Sequence, residues 1–525
     1  MTPVFTLSQL PDGHMHQVKV GEYDVLLANV AGEVYAVENK CSHYGAPLTG
    51  GALCQHRVRC PWHHACFDVR TGAQIEAPGM DGLARFAVRV TGDDISVSNE
   101  PVEEPRPEKV PERTLPEIDT VEQVDYLVVG GGAAGAYAVE AIRGEDAEGS
   151  ILFIAKEGLP PYDRTMVSKP YLEKDMPVEK LPLRSAEFYR KLNVNFLAGT
   201  QVQGLDLKAK SVTLPNGHTL SYDRVLLATG ATPLKLKVPG SDLDGVYTLR
   251  KAEDAHLARE ATGEGSKVVI IGGSFIGLEA AMSLGKRGGD ITVVTREKIL
   301  FEPSFGEKVG RFIRQLHEEA GVTFRMSGEV KEIRGEGKVR EVELESGEIL
   351  PADLVVVGIG VKPTTDYVSG IAFQNDGSLK VDGHLAIHGK NAWAAGDIAT
   401  YPDREGFVRI EHWKVAAQQG RVAGRNMAGN SQPYYMVPFF WSNQQGTNFR
   451  YVGHATNFDR IVFDGEPGDG PFLAFYIKDR HVQACLGVKR DAETAAIGEL
   501  MTRGKMPSID MLIDREWLTI CRELR

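Results

Sequence analysis

The sequence predicts a multidomain chain: a small all-β module, then two α/β dinucleotide-binding units, then an α+β C-terminal portion. Three observations carry this prediction. Two stretches, Val124–Gly135 and Lys267–Gly277, each run from an apolar strand through clustered glycines into a helix-forming segment. From Val4 to about Val97, short apolar alternations are separated by Gly and Asp turns, the pattern of half-buried strands. Between these regions lies Asn99–Gln123, which has five prolines, many charges and neither apolar period, so it cannot bury a core.

At 525 residues the chain is too long for one core. Apolar content of 42% and charged content of 25% are those of ordinary soluble globular protein. The net charge of -12 argues against nucleic acid or an anionic membrane surface as the main partner. The opening MTPVFTLSQLPDGHMH lacks a basic region followed by an apolar core, so no signal peptide is expected. No apolar run of about 18 residues appears, so no membrane span is expected either. Six cysteines in so long a chain do not make a disulfide scaffold, and a reducing cytoplasm is the expected setting.

In the first module, residues 1–98, Cys41-Ser42-His43 and Cys60-Pro61-Trp62-His63 form the pattern C-x-H-x16-C-x-x-H. Each loop supplies one cysteine and one histidine. That set suits a [2Fe–2S] cluster, with zinc as the rival. With CPWHHACFDVRTG across the second loop, the module resembles a Rieske ferredoxin domain. The resemblance implies Cys41 and Cys60 on one iron and His43 and His63 on the other. Ala46 and Trp62 occupy the positions where cytochrome-complex Rieske proteins carry an extra disulfide, which implies the disulfide-free ferredoxin type. Its potential is then expected near the low end of the Rieske range, about -150 mV. His64, where the family often has Gly, is expected as a solvent-exposed surface residue, and Cys54 and Cys66 as free thiols. Residues 99–123 are read as an extended, semi-rigid tether, either a passive connection or one that lets the first module reach the flavin or swing away to a partner.

The first fingerprint opens a unit assigned to 124–246 and 369–433. Gly130 permits the tight turn, Gly132 lets the backbone approach a pyrophosphate, and Gly135 lets helix and strand pack closely. The helix start at Ala134 presents N–H groups to phosphate. An acid about 20 residues past the glycines usually bonds the ribose, and Glu157 is the candidate. Then comes PPYDRTMVSKPYL, Pro160–Leu172, where the chain resembles the oxygenase-coupled ferredoxin reductases and the apoptosis-inducing-factor-like flavoproteins. That resemblance implies a cofactor contact by Arg164 and a place for Lys169 at the reactive edge of FAD. It also implies that Ala228, Thr229 and Gly230, in the ATGxxP segment, lead out of the first unit.

The second fingerprint, in a unit assigned to 247–368, reads Gly272-Gly273-Ser274-Phe275-Ile276-Gly277. Ser274 replaces the middle glycine, so phosphate is expected slightly farther away or on the hydroxyl. Glu279 matches the glutamate that pairs with Lys169 in the family. Two fingerprints imply two dinucleotides, FAD and a nicotinamide. After the strand Ile291–Val294 stand Thr295, Arg296 and Glu297: Arg296 suits a 2′-phosphate, Glu297 a ribose, and the resemblance alone tilts the choice to NADH over NADPH. Leu354–Pro363, with Gly360, resembles the family's segment returning to the first unit, and Gly396-Asp397 resembles the family's AxGD box, which implies that Asp397 bonds the ribityl chain. Glu411, His412 and Trp413 open a helix that the resemblance places near the flavin ring; Trp413 reads equally as a ring shield or electron relay and as a structural residue.

Residues 434–525 are strand-like with a more helical end from Asp491, and resemble the family's third, interface domain. The chain as a whole thus resembles a Rieske ferredoxin fused to a glutathione-reductase-like, Rossmann-type flavoprotein. The implied activity passes electrons from NADH or NADPH through FAD to the [2Fe–2S] cluster and on to an acceptor, an oxygenase or another redox protein. Lys169, Glu279 and Trp413 are the expected catalytic residues. The rival is a nicotinamide-responsive interaction protein with slow turnover. No C-x-x-C flanks either fingerprint, which disfavours disulfide reduction, and no further His or acid set is visible for mononuclear iron. A homodimer through the C-terminal domain is a further expectation of the resemblance.

Overall fold

The structure, a computed structural model, describes residues 1–102, 113–389, 391–404 and 406–524. The middle of the expected tether, residues 103–112, therefore lies outside the described residues. The chain divides into two compact units. One gathers the N-terminal module with Tyr435–Trp441 and the chain from Asn448 onward; the other runs through both fingerprints to Tyr434 and includes Ser442–Thr447.

In the first unit, Met15–Val20, Tyr23–Val30, Glu33–Glu38 and Arg85–Phe86 form an antiparallel sheet. Alternation along Tyr23–Val30 sends Val25 and Leu27 into one core and Leu26 and Ala28 into another, so this strand is buried on both faces. A second four-stranded sheet, Ala52–Cys54, Arg57–Arg59, Cys66–Asp68 and Gln74–Glu76, carries the second cysteine–histidine loop. The C-terminal portion is a five-stranded antiparallel sheet backed by helices Asp491–Thr502 and Trp517–Arg522.

The N-terminal module does not stand apart from that sheet. Ala52 and Cys54 share one hydrophobic core with Phe475, Leu500, Trp517 and Cys521. Cys54, expected as a free thiol, is disulfide-bonded to Cys521 across a sequence separation of 467, with Cα atoms 5.2 Å apart. Cys66 is a buried free thiol, as expected.

In the second unit, the first fingerprint strand Gln123–Val129 lies between Ile151–Ile154 and Thr219–Leu227, parallel to both, in a mixed sheet. The second fingerprint strand Lys267–Ile271 sits mid-sheet in a parallel order Val246–Thr248, Leu354–Val357, Lys267–Ile271, Asp290–Thr295, Thr323–Met326. Near-continuous apolar runs such as VVII and LVVV fit strands covered on both faces. The two segments expected to connect the first-fingerprint stretch with the second-fingerprint stretch hydrogen-bond to each other, Ala231–Pro233 against Val361–Pro363. Among the described residues, no helix is long and apolar enough to cross a membrane.

Candidate functional site

The two cysteine–histidine loops meet. His43 and His63 bring their Nδ1 atoms to 3.1 Å, and the thiols of Cys41 and Cys60 lie within hydrogen-bonding reach of each other. Both cysteines are buried and both histidines lie nearer the surface. Backbone N–H groups of His43 and Tyr44 point at the Cys41 sulfur, and those of Trp62 and His63 at the Cys60 sulfur. Such donors suit anionic sulfur, so the residues fit a cluster with sulfur on one side and imidazole on the other. A single zinc ion needs all four ligand atoms close together. The set of metal-type donors mutually within 4.8 Å among the described residues is instead Cys66, Glu76 and Glu499. Arg57 and Arg59 already occupy those carboxylates, and burial pushes the Cys66 thiol up to about 12.

The surroundings correct one expectation. His64 is fully buried, not a surface residue. It sits at φ 57°, which turns the side chain inward, and its ring stacks on Phe439 at 3.9 Å. Trp441 lies 4.3 Å from the His63 ring, and Arg450 donates to the Trp62 carbonyl.

At the first fingerprint, Gly130 has φ 125°, and a Cβ there would meet the Ala228 carbonyl at 2.2 Å. A Cβ on Gly135 would meet the Gly130 carbonyl at 2.0 Å, whereas Gly132 faces open space within 4 Å. Helix Ala133–Glu145 therefore starts against a shallow cradle a pyrophosphate fits. Helix Trp413–Met427 packs on it so closely that Cβ atoms on Gly420 and Gly424 would meet the carbonyls of Ala134 and Ala138 at 2.0 and 2.5 Å.

Glu157 lies just past the strand Ile151–Ile154 and receives Tyr162 Oη and Arg164, each at 2.6 Å. Arg164 also donates to the Arg250 carbonyl, and Arg250 pairs with Asp397 at 2.8 Å. These expected residues thus form one polar cluster, with Arg250 an addition the sequence reading missed. Thr229 donates to the Thr364 carbonyl, and Gly396 N–H to Gln419, which fixes the two crossing loops. Gly230 and Gly360 both adopt positive φ, at 64° and 108°. Burial raises Glu411, although Arg409 lies 2.5 Å away. His412 precedes the first residue of the helix, and Trp413 lies edge-on to buried Tyr137 with centroids 6.0 Å apart.

Lys169 Nζ lies 2.8 Å from Glu279, the pair expected across the two units of sequence. Glu279 also accepts Ser168 Oγ at 2.5 Å and Ser442 Oγ at 2.6 Å. The contact of either serine with Glu279 was not foreseen, although Ser168 lies in the PPYDRTMVSKPYL motif and Ser442 in the Phe440-Trp441-Ser442 segment that carries the resemblance of the third domain.

At the second fingerprint, Gly272 and Gly277 repeat the close packing, with a Cβ on either meeting backbone oxygen at 2.3 Å. Gly273 is similarly crowded by Leu300 and Thr295. Phe275 stacks on Phe301, and Ile276 is exposed at the helix start. The Ser274 hydroxyl, where phosphate was expected slightly farther away or on the hydroxyl, caps helix Phe275–Gly285 by accepting Gly277 N–H and donates to the Gly358 carbonyl. Arg296, the candidate for a 2′-phosphate in the undecided choice with Glu297, pairs at the surface with Glu329. Thr295 accepts the Gly273 N–H and donates to Glu297, which ties that carboxylate to the glycine loop.

Three family matches cover the chain: Rieske [2Fe-2S] domain over 1–87, pyridine nucleotide-disulphide oxidoreductase over 124–420, and reductase C-terminal over 439–518. Apoptosis-inducing factor 3 of Homo sapiens is 35% identical over 98% of this chain and 87% of its own length. The anthranilate 1,2-dioxygenase system ferredoxin--NAD(+) reductase component of Burkholderia cepacia is 32% identical over 74% of this chain and 97% of its own. A crystal structure of the covalent putidaredoxin reductase–putidaredoxin complex superposes with TM-score 0.71 at 30% identity, covering 76% of this chain and 98% of that one. Family membership brings FAD and NAD(P)H as cofactors, and the Rieske match brings the [2Fe–2S] cluster. The chain belongs to the pyridine nucleotide-disulphide oxidoreductase family, as an NAD(P)H-dependent flavoprotein of the ferredoxin-reductase type fused to a Rieske domain.

Proposed function

We propose that this protein takes electrons from NADH, routes them through FAD to its own Rieske cluster, and delivers them singly to an acceptor protein such as an oxygenase component. The observation that carries this reading is the cluster pocket: two facing thiols, four N–H groups aimed at them, and two converging imidazoles, in the same chain as two dinucleotide loops. FAD supplies the exchange between a two-electron donor and one-electron acceptors. The chain's residues do the rest. Gly130, Gly132, Ala134 and Gly135 hold the pyrophosphate on a helix start, Glu157 and Arg164 the adenosine end, and Asp397 the ribityl chain. The Lys169 ammonium, aimed by Glu279, offsets negative charge at the reactive edge. Trp413, with Glu411 and His412 before it, closes that side against water. Gly272, Gly273 and Gly277 hold the nicotinamide dinucleotide, and Glu297 accepts the ribose hydroxyls, which favours NADH. The surface pairing of Arg296 with Glu329 supports the same preference.

The organisation into 1–98, 99–123, 124–246 with 369–433, 247–368 and 434–525 is the functional division within this reading. The cytoplasm is its setting. A homodimer is a further proposal, which sedimentation of the intact chain tests. Anaerobic stopped-flow mixing with NADH tests the function itself. The expected sequence is flavin bleaching and then cluster reduction fast enough to support turnover. Cluster reduction far slower than turnover with any acceptor would instead favour a nicotinamide-responsive interaction protein.

A further inference from the structure

Glu279 stands at the end of a buried hydrogen-bonded row that the proposed electron path does not use. Its carboxylate accepts Ser442 Oγ on Oε1 at 2.6 Å, and Ser168 Oγ and Lys169 Nζ on Oε2 at 2.5 and 2.8 Å. Behind Ser442, Gln444 Nε2 donates to the serine hydroxyl at 2.7 Å, and Gln444 Oε1 lies 2.7 Å from His317 Nε2. Gln445 Nε2 lies 3.1 Å from His317 Nδ1. Glu279, Ser442, Gln444 and His317 are all buried, between 0% and 2% exposed.

The donor directions in this row are not independent. An amide N–H at Nδ1 requires a lone pair there, so the proton of neutral His317 sits on Nε2. Nε2–H then needs an acceptor, which turns the Gln444 carbonyl toward it and the Gln444 NH2 toward Ser442. The serine oxygen, receiving that N–H, points its own O–H at Glu279. Burial holds His317 below the ordinary imidazole value, which keeps the ring neutral and this tautomer logic in force near neutral pH. One ring on helix Glu302–Glu319 thereby fixes the polarity of every bond down to the carboxylate. An amide in mid-row passes protons poorly, so the row orients rather than conducts.

We propose that His317, Gln444 and Ser442 are positioning residues: they hold Glu279 as an acceptor-only carboxylate and so set where the Lys169 ammonium stands. The proposal rests on the reading of Lys169 and Glu279 as the pair at the flavin edge. It adds a remote determinant of flavin chemistry on the nicotinamide-binding unit, one that touches neither dinucleotide fingerprint.

The test uses the FAD-loaded full chain, with two readouts: the midpoint potential of bound FAD by spectroelectrochemical titration, and the flavin-bleaching rate at saturating NADH. In His317→Leu the rate is expected to fall about tenfold, the scale of one buried hydrogen bond to a charged group, with the apparent NADH dissociation constant within about twofold of wild type. The potential should move down by about 30 mV, the two-electron equivalent of that factor. His317→Gln, which restores an amide donor toward Gln444, should recover most of the loss. Ser442→Ala removes a single buried oxygen and decides the matter if His317→Leu fails to fold. Unchanged potential and rate in whichever of the two folds overturns the proposal. Lys169→Met separates the two levels. If it too changes nothing, the placement of Lys169 at the flavin is what fails; if it shifts both readouts while His317→Leu and Ser442→Ala do not, the positioning row alone fails.

Discussion

Replacing Glu499 by Gln should detach the iron–sulfur loops from the C-terminal helix that braces them. Glu499 is on helix Asp491–Thr502, and its carboxylate receives Arg57 and Arg59, each at 2.7 Å, and Arg503 at 3.0 Å. The same two arginines hold Glu76 at 2.6 and 2.7 Å. The side chains of Arg59, Glu76 and Glu499 are 3%, 4% and 2% exposed, so water cannot take over for a missing partner. Arg59 directly precedes Cys60, a proposed cluster ligand. Glutamine keeps the shape and removes one negative charge, leaving Arg57 and Arg59 to share Glu76. Breaking a buried pair from one side costs roughly 3–5 kcal/mol. For a body of this size each kcal/mol is worth about 2–4 °C in Tm, so the transition reporting on the cluster should fall by roughly 6–20 °C. Thermal melts monitored by cluster absorbance and by far-UV circular dichroism measure this. The double variant Arg59→Leu/Glu499→Leu, which removes charge from both sides, should cost less than the single change. A Tm within about 2 °C of wild type for Glu499→Gln would refute the reasoning, because it would mean that the carboxylate does not neutralise buried Arg59.

Four further outcomes are expected. Cys41→Ser should abolish the Rieske absorbance and electron paramagnetic resonance signals while NADH still bleaches the flavin; unchanged delivery to an acceptor would remove the cluster from the path. Gly420→Val, which puts a side chain where a Cβ already meets the Ala134 carbonyl at 2.0 Å, should force helix Trp413–Met427 off its neighbour and release FAD, read as flavin fluorescence in the ultrafiltrate. Glu297→Ala should raise the KM for NADH about tenfold with little effect on kcat, since a ribose contact is made equally in ground and transition states; equal loss in both parameters would contradict its role. His317 has a folded-state pKa depressed by burial, so the unfolded chain binds its proton more readily and stability rises with pH through the window below about 6.5. His317→Gln should flatten that limb in urea melts recorded at successive pH values.

Much of this arrangement was legible in the sequence because it is local. A fingerprint needs only a strand, a turn and a helix start, and the crowding at Gly130, Gly135, Gly272 and Gly277 is between backbone segments a few residues apart or in adjacent strands. Each cysteine–histidine loop is likewise contained within a short stretch. Lys169 and Glu279 were paired by resemblance alone, since nothing in their own surroundings announces a partner 110 positions away. What escaped shares that cause. Ser442 reaches Glu279 across a separation of 163, Arg59 reaches Glu499 across 440, and Cys54 finds Cys521 across 467. No periodicity encodes such contacts. His64, expected at the surface, is covered by the same kind of distant contact, its ring stacked on Phe439. The capping role of Ser274 was not foreseen, although a hydroxyl at a helix start commonly serves the helix in this way.

The bond between Cys54 and Cys521 closes most of the polypeptide into a covalent ring. Near it, Arg522 lies 3.0 Å from His14, so the last helix also rests on the first module. A protease that nicks the proline-rich stretch before the first fingerprint would therefore produce two fragments by mass under reduction, yet one particle in solution without it. The iron–sulfur module would stay with the C-terminal sheet after its peptide connection was cut, and only a thiol reagent together with loss of the shared core would set it free.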